Sequence, residues 1–460
     1  MVGNPRSSWR GTLQITMNLT ADIQEIVRYI FQFLLRTEND ETLNLIGYTS
    51  DKEKIKQYKL VIKPSRFFDA DFYGAFTSMP FLPLKTLQDV PILFGEPRME
   101  KIDDTLVIHA DFIASAYFLV SRYEEMICPH VRDKHGRFIG KESIAYRAGF
   151  LHRPIVEEYG KILRHYAREA GLNIEEPPVK IAQIYLTTDV DKLAHYRNAK
   201  STLKAVSRIL FHRKNATTAL KTYLGEIDTD PWYTYPWLFE KAGELKEAIP
   251  NTNINQIAFI KTGGGNLPED QPLQNISSKD FQTFFEFCEK EEVKIGLHPS
   301  YQAGINPQLI SSEKEKLEQV LKRPITFTRN HYLCNREPED FNALIEAGFT
   351  DDFTMGYADV AGFRLGTCRP LQWIDPQTKK LMPLLLHPLT IMDNTLNDSR
   401  YMRLKTEEAF DYCQNLIEEV KKHNGELMLL WHNISVEKEN GLYHRELYEK
   451  MMDYLKKEEQ

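Results

Sequence analysis

From residue 178 onward, short apolar runs alternate with helix-like stretches, and this rhythm limits the fold more than any other feature of the chain. The runs are KIAQIYLTT, INQIAFIKT, VKIGLHPS, ITFTRNHYL, FTDDFTMGY, LMPLLLHPLTIM and ELMLLWHN. Helices between them carry start and stop chemistry. Ser278 can cap one helix, Ser312 with Glu315 forms a capping-box pattern, and Thr406 can cap another. Gly348 and Gly425 stand where helices stop. Strand and helix repeated about seven times predict an α/β barrel or a doubly wound sheet. One connection breaks the rhythm. Residues 197–250 insert a basic helical stretch, RNAKSTLKAVSRILFHRK, followed by DPWYTYPWLFE. A connection of that length inside a compact domain is often functional.

Upstream the pattern differs. KLVIKPS and DTLVIHAD read as strands, and DFIASAYFLVSRYEEM reads as a helix with Asp111 as its N-cap. RPIVEEYGKILRHYAREAG reads as another helix, closed by Gly171. A further amphipathic helix starts near Thr20, with Ile23, Ile26, Val27, Ile30 and Phe31 on one face. The proline pair in LNIEEPPVKI, residues 172–181, marks a boundary. Residues 1–175 are therefore expected to form a smaller mixed α/β unit, and residues 176–460 the repetitive one. Nothing in residues 1–175 has the spacing of a catalytic motif. Its histidines, His109, His130, His135, His152 and His165, read as surface or structural residues.

The net charge of −7 argues against a mainly electrostatic nucleic-acid or membrane-surface binder. The cysteines Cys128, Cys288, Cys334, Cys368 and Cys413 are scattered and odd in number, with no CxxC pair. That excludes a zinc ribbon or a disulfide framework and fits a reducing compartment. The apolar N-terminal stretch is broken by Asp22, Glu25 and Arg28, unlike an export signal. No run reaches the roughly 18 apolar residues of a membrane span. A cytoplasmic protein is the expectation.

Ligands in α/β folds bind at the carboxyl ends of strands. The predicted strands end in or carry Asp189 and Asp191, His298, Arg329 and His331, Asp351 and Asp352, His387 with Asp393 beyond it, and His432. These residue types bind divalent metals and move protons. TGGGN, residues 262–266, lacks the Lys-Ser/Thr of a phosphate loop and reads as a flexible loop over the mouth. The aromatics of DPWYTYPWLFE suit either a sugar platform, through Trp232 and Trp237, or a plug that seals the insertion.

In order, LTTDVD, GLHPSYQ, TRNHYL and LMLLWHN resemble the four motifs of the polysaccharide deacetylase family, the NodB-homology group of carbohydrate esterases. ADFIASAYFLVSRYEE and GFRLGTCRP resemble a bacterial subgroup with an extra N-terminal domain. The resemblance implies a distorted (β/α) seven-stranded barrel and a divalent metal, usually zinc. It implies that Asp189 is the general base, His432 the general acid and Arg329 the residue orienting Asp189. It further implies that Asp191 and His298 bind the metal. Arg364, within GFRLGTCRP, joins Trp232 and Trp237 as a substrate-binding candidate.

Two departures matter. The family's paired acids are adjacent, whereas Val190 separates Asp189 from Asp191, a spacing that puts both on one face of a strand. Gln302 stands where the family has its second metal histidine. Zinc normally takes three protein ligands in a catalytic site, and His331 is the candidate that completes the set. The implied activity is metal-dependent removal of an acetyl group from an amino sugar or glycan precursor. The alternatives are a glycoside hydrolase pairing Asp189 with Asp352 or Asp393, and a non-catalytic glycan-binding protein.

Overall fold

The computed structural model of the chain describes residues 20–197, 214–336, 338–437 and 441–458. Thr20 caps the helix Ala21–Leu35, and its hydroxyl accepts a hydrogen bond from the Ile23 amide. The apolar face expected from the sequence is buried and packs on the helix Ile155–Glu169. The described residues of the first unit form six strands: β1 (Ile46–Tyr48), β2 (Leu60–Ile62), β3 (Lys85–Leu87), β4 (Val90–Ile92), β5 (Gly95–Ile102) and β6 (Thr105–Ala110). β1, β2 and β6 run parallel, β5 pairs antiparallel with β6, and β3–β4 is a separate hairpin. Asp111 caps the helix Phe112–Val120 by accepting from the Ala114 amide at 3.0 Å. The single helix expected over this stretch is interrupted at Arg122, whose φ of 57° starts a second helix, Tyr123–Ile127.

The second sheet contains β7 (Gln183–Val190), β8 (Asn253–Ile260), β9 (Lys294–Leu297), β10 (Phe327–Thr328), β11 (Asp351–Asp352), β12 (Leu371–Asp375), β13 (Lys380–Leu386), β14 (Ile391–Met392) and β15 (Glu426–Leu430). Its order is β12-β13-β11-β10-β9-β8-β7-β15-β14. Every pairing is parallel except β12–β13. Continuous apolar runs such as LMLL in β15 fit strands covered on both faces. Nine strands replace the expected seven. LMPLLLHPLTIM divides at His387-Pro388 into β13 and β14, and LQWID, not read as a strand, forms β12.

Among the described residues no hydrogen-bonded ring closes, so a parallel-stranded α/β sheet is shown but a closed seven-stranded barrel is not. The sheet nevertheless curls on itself. β13 and β14 lie near opposite ends of the order but are joined by residues 387–390 alone, a span of at most roughly 18 Å. Phe353, next to β11, meets Tyr185 of β7 at 5.5 Å, Phe259 of β8 at 5.5 Å and Phe327 of β10 at 5.3 Å between ring centroids. These rings belong to an inner apolar cluster with Leu389, Met428 and Leu430. His387 bridges the open side. Its Nδ1 lies 2.9 Å from Glu426 of β15 and its Nε2 3.0 Å from Asp351 of β11.

Ser278 caps the helix Lys279–Lys290, as its sequence context predicts. Ser312 does not start a helix. It lies inside Leu309–Leu321, which begins just after Pro307, and its hydroxyl donates back to the Leu309 carbonyl. Thr406 is the first helical residue rather than the cap, and the Lys405 amide donates to Glu408 at 2.9 Å. Residues 198–213 of the basic helical stretch lie outside the described residues. No helix among the described residues is long and apolar enough to cross a membrane. All five cysteines are buried and unpaired.

Candidate metal centre

The carboxyl ends of β7, β9, β10 and β15 converge on one cleft of about 330 Å³. Its wall includes Asp189, Asp191, His298, His331 and His432. Strand geometry explains the convergence. Along β7 alternate residues share a face, and one nitrogen of Arg329, Nη1, donates both to the Thr187 hydroxyl at 2.9 Å and to Asp189 Oδ1 at 3.0 Å. Asp191 continues that face beyond the strand end. His298 follows β9 and extends its ladder, its amide donating to the Ile260 carbonyl at 2.9 Å. Arg329 and His331 follow β10, and their amides donate to Leu297 and Pro299.

Three groups meet at one oxygen. Asp191 Oδ1 lies 3.0 Å from His331 Nε2 and 3.3 Å from His298 Nε2. His298 Nδ1 sits 2.6 Å from the Arg329 carbonyl oxygen. A carbonyl can only accept, so Nδ1 carries a proton, which in the neutral tautomer leaves Nε2 as the atom free to bind a metal. Despite these neighbours Asp191 Oδ1 is buried and receives no hydrogen bond. An unpaired buried carboxylate oxygen facing two ring nitrogens is costly by itself. A cation resolves it. Tetrahedral bonds of about 2.0–2.1 Å to nitrogen and oxygen place ligand atoms roughly 3.3 Å apart, close to the spacing found. The donor set therefore fits a borderline divalent ion such as zinc. Burial works to raise the pKa of Asp191, but His331 and His298, when protonated, outweigh it and hold the carboxylate well below its usual range, the role a bound cation would take in their place.

Gln302 is not brought into this cleft. Its amide, with those of Tyr301 and Gly265, donates to Asp270. Asp270 was not singled out by the sequence. Its carboxylate stands 3.8 Å from His331 Nδ1, on the far side of the ring from Asp191. The turn after His331 is strained, with Tyr332 at φ 61° and Leu333 at φ 55°.

A second feature flanks the first. His432 follows β15, and its Nδ1 lies 2.8 Å from Asp393 Oδ1 while its amide donates to Asp393 Oδ2 at 2.7 Å. His432 Nε2 points toward Asp189, 3.9 Å from Oδ2. Burial lowers a histidine pKa, but Asp393 overrides it and lifts His432 to about 9. Asp393 was noted in the sequence only as a candidate carboxylate. The signal for its pairing, an acid after one strand and a histidine after another, is invisible without the sheet order. Lys261, following β8, was also missed. It is buried in the cleft wall with its ammonium 3.0 Å from the Asp270 carbonyl, and burial lowers its pKa.

Three substrate-binding candidates are not brought to the cleft. Arg364 is buried between the two units, where it grips Glu125 at 2.9 and 2.8 Å. Trp237 packs on Tyr448 at 5.6 Å, with Arg445 over its ring. Trp232 stacks on His195 at 4.0 Å, under the Lys192 ammonium. Tyr233, Tyr235 and Phe239 are buried, so this segment chiefly seals the insertion against the sheet. The TGGGN loop is packed rather than free. A Cβ on Gly263 would fall 1.9 Å from the Glu313 carboxylate, and Gly264 has a φ of +123°. Asp352 is fully buried and bonded to Thr354, outside the cleft. A second acid–histidine group, Glu158, Glu419 and His423, lies elsewhere, but Arg153 already occupies Glu158 and Lys422 occupies Glu419.

Residues 14–171 match the model of a family of unknown function (DUF7033). No curated protein matches the chain. Among solved structures, a protein assigned as a polysaccharide deacetylase from Mycobacterium smegmatis shares 14% identity at a TM-score of 0.38, over 60% of this chain and 86% of its own. Puue allantoinase shares 13% identity at a TM-score of 0.37, over 63% and 90%. A protein assigned as a polysaccharide deacetylase from Pseudomonas aeruginosa PAO1 shares 12% identity at a TM-score of 0.35, over 60% and 88%.

Proposed function

We propose that the chain is a metal-dependent hydrolase that removes an acyl group, acetyl in the simplest case, from the nitrogen of an amino sugar in a glycan or glycan precursor. The observation that carries this reading is the buried, unbonded Asp191 Oδ1 faced by two histidine Nε2 atoms. Asp191, His298 and His331 would hold the ion, most simply zinc. When bound, it supplies charge that acidifies water and polarises an acyl carbonyl.

The chain's own residues do the rest. Arg329 is fully buried and pins Asp189 through Nη1. Its other nitrogens are fixed by the Phe353 carbonyl and the Met428 sulfur. Asp189 is thus oriented to accept a proton from the attacking water. His432, held protonated by Asp393, gives its Nε2 proton to the departing nitrogen. Base and acid stand on the neighbouring strands β7 and β15, with His432 Nε2 3.9 Å from Asp189 Oδ2. The carbohydrate class rests on the motif resemblance and not on a sugar platform, since neither Trp232 nor Trp237 lines the cleft.

A glycosidase pairing gains nothing from the geometry. Both oxygens of Asp393 are engaged by His432, and Asp352 is buried outside the cleft. Purified zinc-supplied protein incubated with N-acetylated glucosamine oligomers is expected to release acetate, and the His432→Ala variant to release far less. Release of free sugar without acetate would overturn the proposal. Sugar binding with no turnover would leave a glycan-binding protein.

A further inference from the structure

The N-terminal unit reaches the metal centre. Its loop 133–137 is tightly built. The Asp133 carboxylate accepts from the amides of His135 at 2.8 Å and Arg137 at 3.0 Å and from Arg137 Nε at 2.8 Å, while Gly136 turns the chain at φ +78°. The loop grips the turn that follows His331. Arg137 Nη1 donates to the Tyr332 carbonyl at 3.0 Å, and its Nη2 donates to the Tyr401 hydroxyl at 3.1 Å. The His135 ring packs on Tyr332 at 4.8 Å, and the His135 carbonyl accepts from the Cys334 thiol at 3.5 Å. The gripped turn is the strained one, with Tyr332 and Leu333 both at positive φ. Such backbone persists only where its surroundings enforce it.

From this we infer that the N-terminal unit completes the metal centre. Arg137, with His135, is a positioning element that holds the Tyr332 turn in the left-handed conformation aiming His331 at Asp191. The inference rests on the reading of Asp191, His298 and His331 as metal ligands. It also explains how this chain manages without a histidine at Gln302. The third ligand comes from an irregular turn with no helix to orient it, and a second part of the chain supplies the rigidity. His331 Nδ1 makes no close hydrogen bond, its nearest acid Asp270 standing 3.8 Å away, so the backbone turn contributes to the aim of the ring.

The test is zinc affinity of the full chain, measured by competition with a chromophoric chelator and accompanied by a thermal melt. Wild type is expected to bind one zinc. Arg137→Ala is expected to stay folded and bind it about 10–100-fold more weakly, the range found when groups supporting metal ligands are lost. Adding Tyr332→Asn to that variant should recover part of the affinity, because asparagine tolerates positive φ better than tyrosine. A merely structural role for Arg137 predicts no such recovery. If Arg137→Ala does not fold, Tyr401→Phe removes only the hydroxyl that anchors Arg137 and should weaken zinc in the same direction. Unchanged zinc affinity in a folded Arg137→Ala, or in Tyr401→Phe where that replaces it, overturns the inference while leaving the metal site standing. A wild type that binds no zinc removes the metal reading itself and this inference with it.

Discussion

His298 donates its Nδ1 proton to the carbonyl oxygen of Arg329 at 2.6 Å, and this one bond ties the proposed metal side of the cleft to its proposed proton-transfer side. The same Arg329 holds Asp189 through its guanidinium. The residue that follows β10 therefore donates to Asp189, the proposed base, and accepts from His298, a proposed ligand.

The Asp393–His432 pair gives the first prediction. His432, lifted to about 9, is protonated at neutral pH, and activity should decline as pH rises through that value. Asp393→Asn removes the charge that stabilises the imidazolium, so the alkaline limb of the pH–rate profile should move to lower pH. His432→Ala should cost roughly 10²–10⁴-fold in rate at the optimum. An alkaline limb that stays in place in Asp393→Asn would contradict the assignment of His432 as the acid.

Arg329 is fully buried against Asp189. Replacing it by methionine leaves a buried carboxylate without its partner, at a cost of roughly 3–5 kcal/mol. Urea unfolding should show that loss. The double variant Arg329→Met with Asp189→Asn should be more stable than Arg329→Met alone. Equal midpoints for the two would mean that the pair does not interact as described.

His387 makes stability depend on pH. Burial lowers its pKa, but Asp351 and Glu426 on either side raise it to about 9 from an ordinary 6.5. A group raised on folding contributes stability in full below its unfolded pKa and loses it as pH rises through the folded value. The protein should therefore lose stability between about pH 6.5 and 9, by an amount on the order of 3 kcal/mol at most. His387→Gln should flatten that segment of the melting-temperature profile. A variant with the wild-type slope would rule His387 out as its source.

Much of this architecture was legible in the chain. Parallel strands buried on both faces leave continuous apolar runs, and polar residues stand out at their ends. That contrast picks out Asp189, Asp191, His298, Arg329, His331 and His432 together with Asp351, Asp352, His387 and Asp393, and the motif resemblance narrows the set. What was not legible depends on sheet order. β12 belongs to an antiparallel edge that breaks the strand–helix rhythm. Asp393 and Asp270 look like ordinary turn acids until the sheet places them behind His432 and His331. His135 reads as a surface histidine because its partner, Tyr332, lies nearly two hundred residues away in the sequence.

Trp237 illustrates the opposite error. A tryptophan in an aromatic cluster suggests a sugar platform, yet it packs on Tyr448 beneath Arg445. Trp237→Ala should lower stability by about 1–3 kcal/mol and leave the KM for an acylated sugar unchanged. A raised KM without lost stability would restore the platform.

The most direct measurement is metal content by elemental analysis of purified wild type and of Asp191→Ala, His298→Ala and His331→Ala. The account predicts about one zinc per wild-type chain and its loss in all three variants. A wild type that remains metal-free after zinc is supplied, or a His331→Ala variant that retains its full zinc, would contradict it.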